Sequence, residues 1–152
     1  MGRKTKTKEE RRLEIIQTAK QLFEEKGYEA TQISDITNQM GVAHGLVYHY
    51  VKSKSELLDA VVEEWAKEIV ANLYELMKDS SRSAMDRLEK MFLFINDMLA
   101  SDSSIINIVH QSEQEEIHKR ISKAGIEMIL PVFSELQTYL MKEWSHRCRW
   151  RQ

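Results

Sequence analysis

Proline occurs once in the 152 residues of this chain, glycine five times and cysteine once. With so few residues that break regular backbone, helices are expected throughout. The lone Cys148 has no internal disulfide partner, and a cytoplasmic location follows as the default. No stretch approaches the roughly eighteen uncharged apolar residues of a membrane span, and no apolar block follows the basic N-terminus. Neither a membrane partner nor a secretory signal is therefore expected. Enzyme signatures are missing too: there is no Gly-rich phosphate loop, no HExxH, no Cys pair and no nucleophile motif. His110 and His118 bracket Glu113, Glu115 and Glu116, but an acidic helix start explains that run more cheaply than a metal. The chain is expected not to be an enzyme, with no catalytic residue, no metal and no cofactor.

Excess charge is also scarce, the net value being −2. Its distribution is uneven. Residues 1–54 hold ten Lys and Arg against seven Asp and Glu, whereas residues 55–152 hold twelve against seventeen. Most of the positive excess lies in the first twelve residues, where Arg3, Lys4, Lys6, Lys8, Arg11 and Arg12 face only Glu9 and Glu10. Such an arm is either a solvated tail or a segment that contacts phosphates or enters a minor groove.

What the chain does have is an informative segment from Gly27 to Leu58. Ile33, Ile36 and Met40 recur at helical spacing, and Thr37 is small enough to let a second helix cross close by. Gly41 ends that helix, because a tight turn favours a left-handed residue without a Cβ. Val42 restarts the apolar face, which Val47, Tyr50 and Val51 continue. The result is helix, glycine turn, short helix, with Ala43, His44, Gly45, Leu46, Tyr48 and His49 facing outward. The flanks are helical as well. Ile15, Ile16, Ala19, Leu22 and Phe23 form a stripe that Gly27 stops, and Thr31 is a candidate N-cap. Ser53-Lys54-Ser55-Glu56 is a capping box ahead of Leu57, Leu58, Val61, Val62 and Trp65.

In that order and spacing, the pieces LFEEKGYEAT, DIT, MGV, GLVYHY and KSKSELL resemble the N-terminal domain of the TetR-like family of one-component transcriptional regulators. The likeness covers roughly residues 10–60. It implies an all-α protein: a three-helix DNA-binding domain with a helix-turn-helix, joined by a long helix to an all-helical ligand and dimerisation domain. The corresponding division is 1–54 and 55–152. It also implies a homodimeric repressor on an inverted-repeat operator in double-stranded DNA, released when a small molecule binds. Tyr48, His49 and Lys54 match family positions that touch phosphates, and Thr31 begins a helix whose N-terminal dipole favours them. The family pattern of Ser-Lys-Gly-Thr ahead of a Leu-Tyr pair is here Ala43-His44-Gly45-Leu46. Ala43 cannot cap through a hydroxyl, His44 exchanges a permanent cation for a titrating imidazole, and Leu46 offers only apolar contact. Family members usually carry two further helices at the dimer interface, so the resemblance implies a chain shortened at its C-terminus, and the tail after Trp144 is expected to be poorly ordered.

Beyond Ser53 the pattern predicts a fourth helix to about Lys78. A fifth, capped by Ser83 and Asp86, carries Leu88, Met91, Phe92, Phe94, Ile95, Met98 and Leu99, a face wide enough to be central. A short helix over 105–110 and a last one from about Glu115 to Trp144, kinked at Pro131, complete the chain. Ligand candidates are Trp65, Ile69, Met91, Phe94, Ile95, Met98, Ile106 and His110. Eight methionines suit either an irregular core or a hydrophobic ligand. Without clustered charge, such a ligand is expected to be apolar or amphipathic, for example a fatty acyl compound. The alternative is a ligand-independent DNA-binding or protein-interaction module whose C-terminal helices only dimerise.

Overall fold

The computed structural model describes residues 6–100 and 115–149, and every regular element among them is a helix. They are α1 (Lys8–Lys26), α2 (Ile33–Met40), α3 (His44–Tyr48), α4 (Lys54–Lys78), α5 (Ala84–Ala100) and α6 (Glu115–Arg149). Contacts divide them into two compact units. The first takes in residues 6–64 with 115–121, the second 65–100 with 122–149. The boundary thus falls inside α4, beyond residue 54.

In the first unit, α1 starts with a reciprocal capping box. Thr7 N–H donates to Glu10 Oε2 at 2.7 Å, and Glu10 N–H donates to Thr7 Oγ1 at 3.1 Å. Ile15, Ile16, Ala19, Leu22 and Phe23 are buried, as their spacing predicts. Gly27 stops the helix at φ 82°, ψ 156°, a backbone region open essentially to glycine alone. Tyr28 then folds back edge-on against Phe23, with ring centroids 5.2 Å apart. The left-handed conformation expected at Gly41 is present, at φ 63°, ψ 39°. Its N–H and that of Val42 turn back onto the carbonyls of Asn38 and Thr37 and close the last turn of α2. Val47 anchors α3 at 0% exposure.

α4 enters through Ser53, whose Oγ accepts from Glu56 N–H at 3.1 Å. The expected box is modified, since the Glu56 carboxylate accepts from Lys52 N–H at 2.6 Å rather than from Ser53. Ser83 and Asp86 do form the predicted cap of α5, with Asp86 N–H donating to Ser83 Oγ at 3.1 Å and Ser83 N–H donating to Asp86 Oδ2 at 3.3 Å.

The second unit is built on Ile69, Leu73, Met77, Met91, Val132 and Leu136, all buried in one cluster. Burying a side chain of this size stabilises by about 1.5–3 kcal/mol. Arg87, also buried, donates Nη1–H to Met77 O at 2.9 Å and so satisfies a carbonyl in the last turn of α4. Its guanidinium lies 5.6 Å from the Tyr139 ring centroid.

Two expectations are corrected here. α5 is not apolar inward on all the predicted positions, because Phe92 is 65% exposed, beside exposed Met85 and Leu93. Helical spacing marks an apolar face but does not say which part of it another element covers. α6 contains Pro131, as expected, but runs past Trp144 to Arg149, so the segment expected to be a loose tail is helical to that residue. The predicted helix over 105–110 and the Ser112 cap lie outside the described residues.

Candidate nucleic-acid interface

The outward surface of α3 is set by its one buried residue. At 3.6 residues per turn, Gly45 lies about 200° around the helix from Val47, so it occupies the centre of the opposite face. His49 follows four residues on and is exposed, as is Gly45. A Cβ added at Gly45 would meet no atom within 4 Å. His44 and Tyr48 stand beside them, their rings edge-to-face with centroids 5.4 Å apart, and Tyr48 is 48% exposed. Each ring restricts the other, which reduces the ordering needed on contact with DNA. Ala43 is the N-cap in extended backbone at φ −64°, ψ 140°, with no side-chain hydrogen bond, as its lack of a hydroxyl requires. Leu46 is only half-buried and contributes part of its side chain to the surface.

Thr31 is corrected. It is not the N-cap of α2, which is Gln32, and its side chain is 0% exposed. The hydroxyl donates inward to Leu22 O at 3.1 Å and Gly27 O at 2.8 Å, tying α2 to the end of α1. Its side chain therefore positions the motif and does not reach a phosphate. The Asp35 carboxylate accepts from Gln32 N–H at 2.9 Å, and this cap one residue later fixes the start of α2.

Lys54 is half-buried and already engaged. Its Nζ donates to Glu29 O at 3.0 Å and sits 4.3 Å from the Tyr28 ring centroid. The ammonium has three donors, so a phosphate can still be met, but the residue is also a clamp between α4 and the α1–α2 connection. The clamp side of Tyr28 and Glu29 had no signal in the spacing of the motif. Burial, ahead of the Glu29 carboxylate, pushes the Tyr28 hydroxyl above its ordinary range, while Arg120 opposes the shift.

The basic N-terminus is also less of an arm than its charge run suggests. Lys8, Arg11 and Arg12 belong to α1, while Arg3 and Lys4 lie outside the described residues. Lys6 and Arg11 converge on Glu14, at 2.6 and 2.7 Å. The hydrogen bond from Lys6, aided by both charges, holds the Glu14 carboxyl below its ordinary range despite some burial. Lys8 and Arg12 are exposed.

Six of the ligand candidates do come together in the second unit. Ile69 and Met91 are buried in its core, and Trp65, Phe94, Ile95 and Met98 pack around it. Ile106 and His110 lie outside the described residues. No cluster of three metal-ligating side chains occurs among the described residues, and no helix there is long and apolar enough to cross a membrane.

Residues 15–61 match the family described as bacterial regulatory proteins, tetR family. The transcriptional repressor KstR2 of Mycolicibacterium smegmatis is 29% identical over 83 residues, which cover 55% of this chain and 40% of the repressor. The fatty acid metabolism regulator protein of Bacillus subtilis is 32% identical over 111 residues, covering 71% of this chain and 55% of that protein. Among solved structures, the fatty acid degradation regulator FadR from Bacillus halodurans superposes with a TM-score of 0.68 at 25% identity, covering 89% of this chain and 69% of the other. The chain spans about half the length of the curated relatives it matches.

Proposed function

We propose, from the match of residues 15–61 to the tetR family of bacterial regulatory proteins, that this chain is a DNA-binding transcriptional regulator. In the fuller form of the proposal it is a homodimeric repressor that leaves an inverted-repeat operator when a small molecule binds. The observation that carries the reading is the α3 surface itself: Gly45, His49, His44 and Tyr48 are outward, while Val47, Thr31 and Gly41 fix the helix behind them. A helix presented in this way fits a major groove, with α2 crossing the backbone.

Dimerisation is supported by a row of exposed apolar side chains on α6, Ile126, Leu130, Phe133, Met141 and Trp144. Their spacing of three to four residues, or multiples of it, lays them along one side of the helix, a surface suited to a second copy of the chain. A hydrophobic effector is supported by the packing of Trp65, Phe94, Ile95 and Met98 around the second core, and by the name of the Bacillus subtilis relative, a fatty acid metabolism regulator.

The test is binding of purified protein to duplexes enriched from a random pool, followed by fluorescence anisotropy at several salt concentrations. An inverted repeat should be recovered, and the logarithm of affinity should fall linearly with the logarithm of salt. Absence of any salt-dependent binding overturns the reading. Palmitoyl-CoA is then added as the probe: release of DNA supports the ligand-released form, and none at saturating probe supports a regulator that acts without an acyl effector.

A further inference from the structure

Arg120 was marked by none of the sequence motifs, yet it makes polar contacts to residues more than sixty positions away in the first unit. It lies near the start of α6, on the part that packs with the DNA-binding helices. Its Nη1–H donates to Ser55 Oγ at 2.5 Å, and its Nη2–H donates to the Asp59 carboxylate, with which it forms an ion pair. Ser55 and Asp59 are four residues apart, so they share one face of the first two turns of α4. Holding both restrains the rotation of the helix as well as its position, a task that suits a planar fork of donors better than a single ammonium. The next residue back, Lys54, reaches to Glu29 O and the Tyr28 ring. Two cations thus fix the entry of α4 through different partners.

We infer that Arg120 is a positioning residue for the DNA-contact surface. It holds the first turn of α4 where Lys54 can meet a phosphate, and it neutralises Asp59, a carboxylate that would repel the same phosphate. The helix that carries Arg120 continues to Val132 and Leu136, which are buried in the second core. The inference rests on the DNA-binding reading above.

The test measures Arg120→Ala, Arg120→Lys, Asp59→Ala and the Arg120→Ala/Asp59→Ala pair by anisotropy, on an enriched duplex and on an unrelated duplex of equal length. Because the ion pair is partly exposed, Arg120→Ala should weaken binding by about two- to fivefold on both duplexes. The salt slope should flatten by up to about one unit as the Lys54 contact loosens. Arg120→Lys should recover part of the loss, and the double variant should be no weaker than Arg120→Ala alone. A loss of folding alone lowers the active fraction but leaves the salt slope of the folded protein unchanged, so slopes are compared below the unfolding midpoint of each variant. Wild-type protein that binds while Arg120→Ala matches it in affinity and slope overturns the inference alone. Wild-type protein that binds neither duplex overturns the function reading and this inference with it.

Discussion

Lys54→Ala separates two roles that the structure assigns to one side chain. In the free protein the ammonium donates to Glu29 O at 3.0 Å and lies 4.3 Å from the Tyr28 ring centroid. A cation–π contact at a partly exposed site contributes about 0.5–1 kcal/mol. A hydrogen bond to a backbone carbonyl adds about 0.5–1.5 kcal/mol. Lys54→Ala should therefore destabilise the first unit by about 1–2 kcal/mol, measured as a shift in the urea midpoint without a change in slope. In the complex, one phosphate contact adds about 0.9 to the salt slope, so its loss makes the variant about 3.5-fold less sensitive to a change from 50 to 200 mM salt. Lys54→Met keeps the aliphatic stem over the ring and loses the charge, so it should recover some stability and none of the slope. An unshifted urea midpoint in Lys54→Ala would refute the clamp, and an unaltered salt slope would remove Lys54 from the DNA-contact surface.

Other positions give sharper single answers. Thr31→Val keeps the shape of the side chain but removes the hydroxyl shared by Leu22 O and Gly27 O, and should destabilise by about 1–2 kcal/mol while the folded protein keeps its salt slope. A lost phosphate contact in that variant would show the inward assignment to be wrong. Gly45→Ala should raise stability by up to about 1 kcal/mol, since the backbone is helical and the new Cβ has open space, and should weaken DNA binding if the bare backbone approaches the bases. Equal affinity would mean that this side of α3 does not face the groove. Glu14 has a lowered carboxyl pKa in the fold, so its contribution is present above the ordinary value of 4.5 and is lost as pH falls through the lowered one. Glu14→Gln should accordingly lose less stability than wild type on acidification below about pH 4.5, read from urea titrations across that range. Parallel acid limbs would show that Lys6 and Arg11 do not hold it in solution.

Local requirements were the most legible part of the fold. Gly41 could be placed because a helix that must turn at once needs a left-handed residue, and the φ of 63° is that requirement met. The stripe from Ile15 to Phe23 could be placed because burial on a helix writes itself at intervals of three and four. Thr31 was misread by the same kind of local rule. A threonine just before a helix resembles a cap, but its hydroxyl found two carbonyls at the end of the preceding helix, a partner set that depends on how α1 and α2 meet. Arg120 left no trace at all, since its partners Ser55 and Asp59 are more than sixty residues away and carry no shared period. Phe92 shows the remaining gap: apolar character was legible, but coverage depends on what lies opposite.

The α3 surface also separates affinity from choice of sequence in a way the charge count alone conceals. From Ala43 to Tyr50 the chain has no lysine or arginine, so no permanent cation lies on the helix that would read bases. The fixed positive groups of the first unit include Lys52 and Lys54 at the entry of α4, with Lys8 and Arg12 on α1. Salt-dependent affinity in such a surface comes from the scaffold, while the bare backbone at Gly45 and the side chains of His44, Leu46, Tyr48 and His49 offer hydrogen bonds and apolar contact. Changes to the scaffold cations should therefore scale binding to all duplexes alike, and changes at His44, Gly45 and Leu46 should reorder preference among duplexes with little effect on the salt slope. A His44 variant that lowers the salt slope without changing sequence preference would contradict this division, because it would place a phosphate contact at a position assigned to the bases.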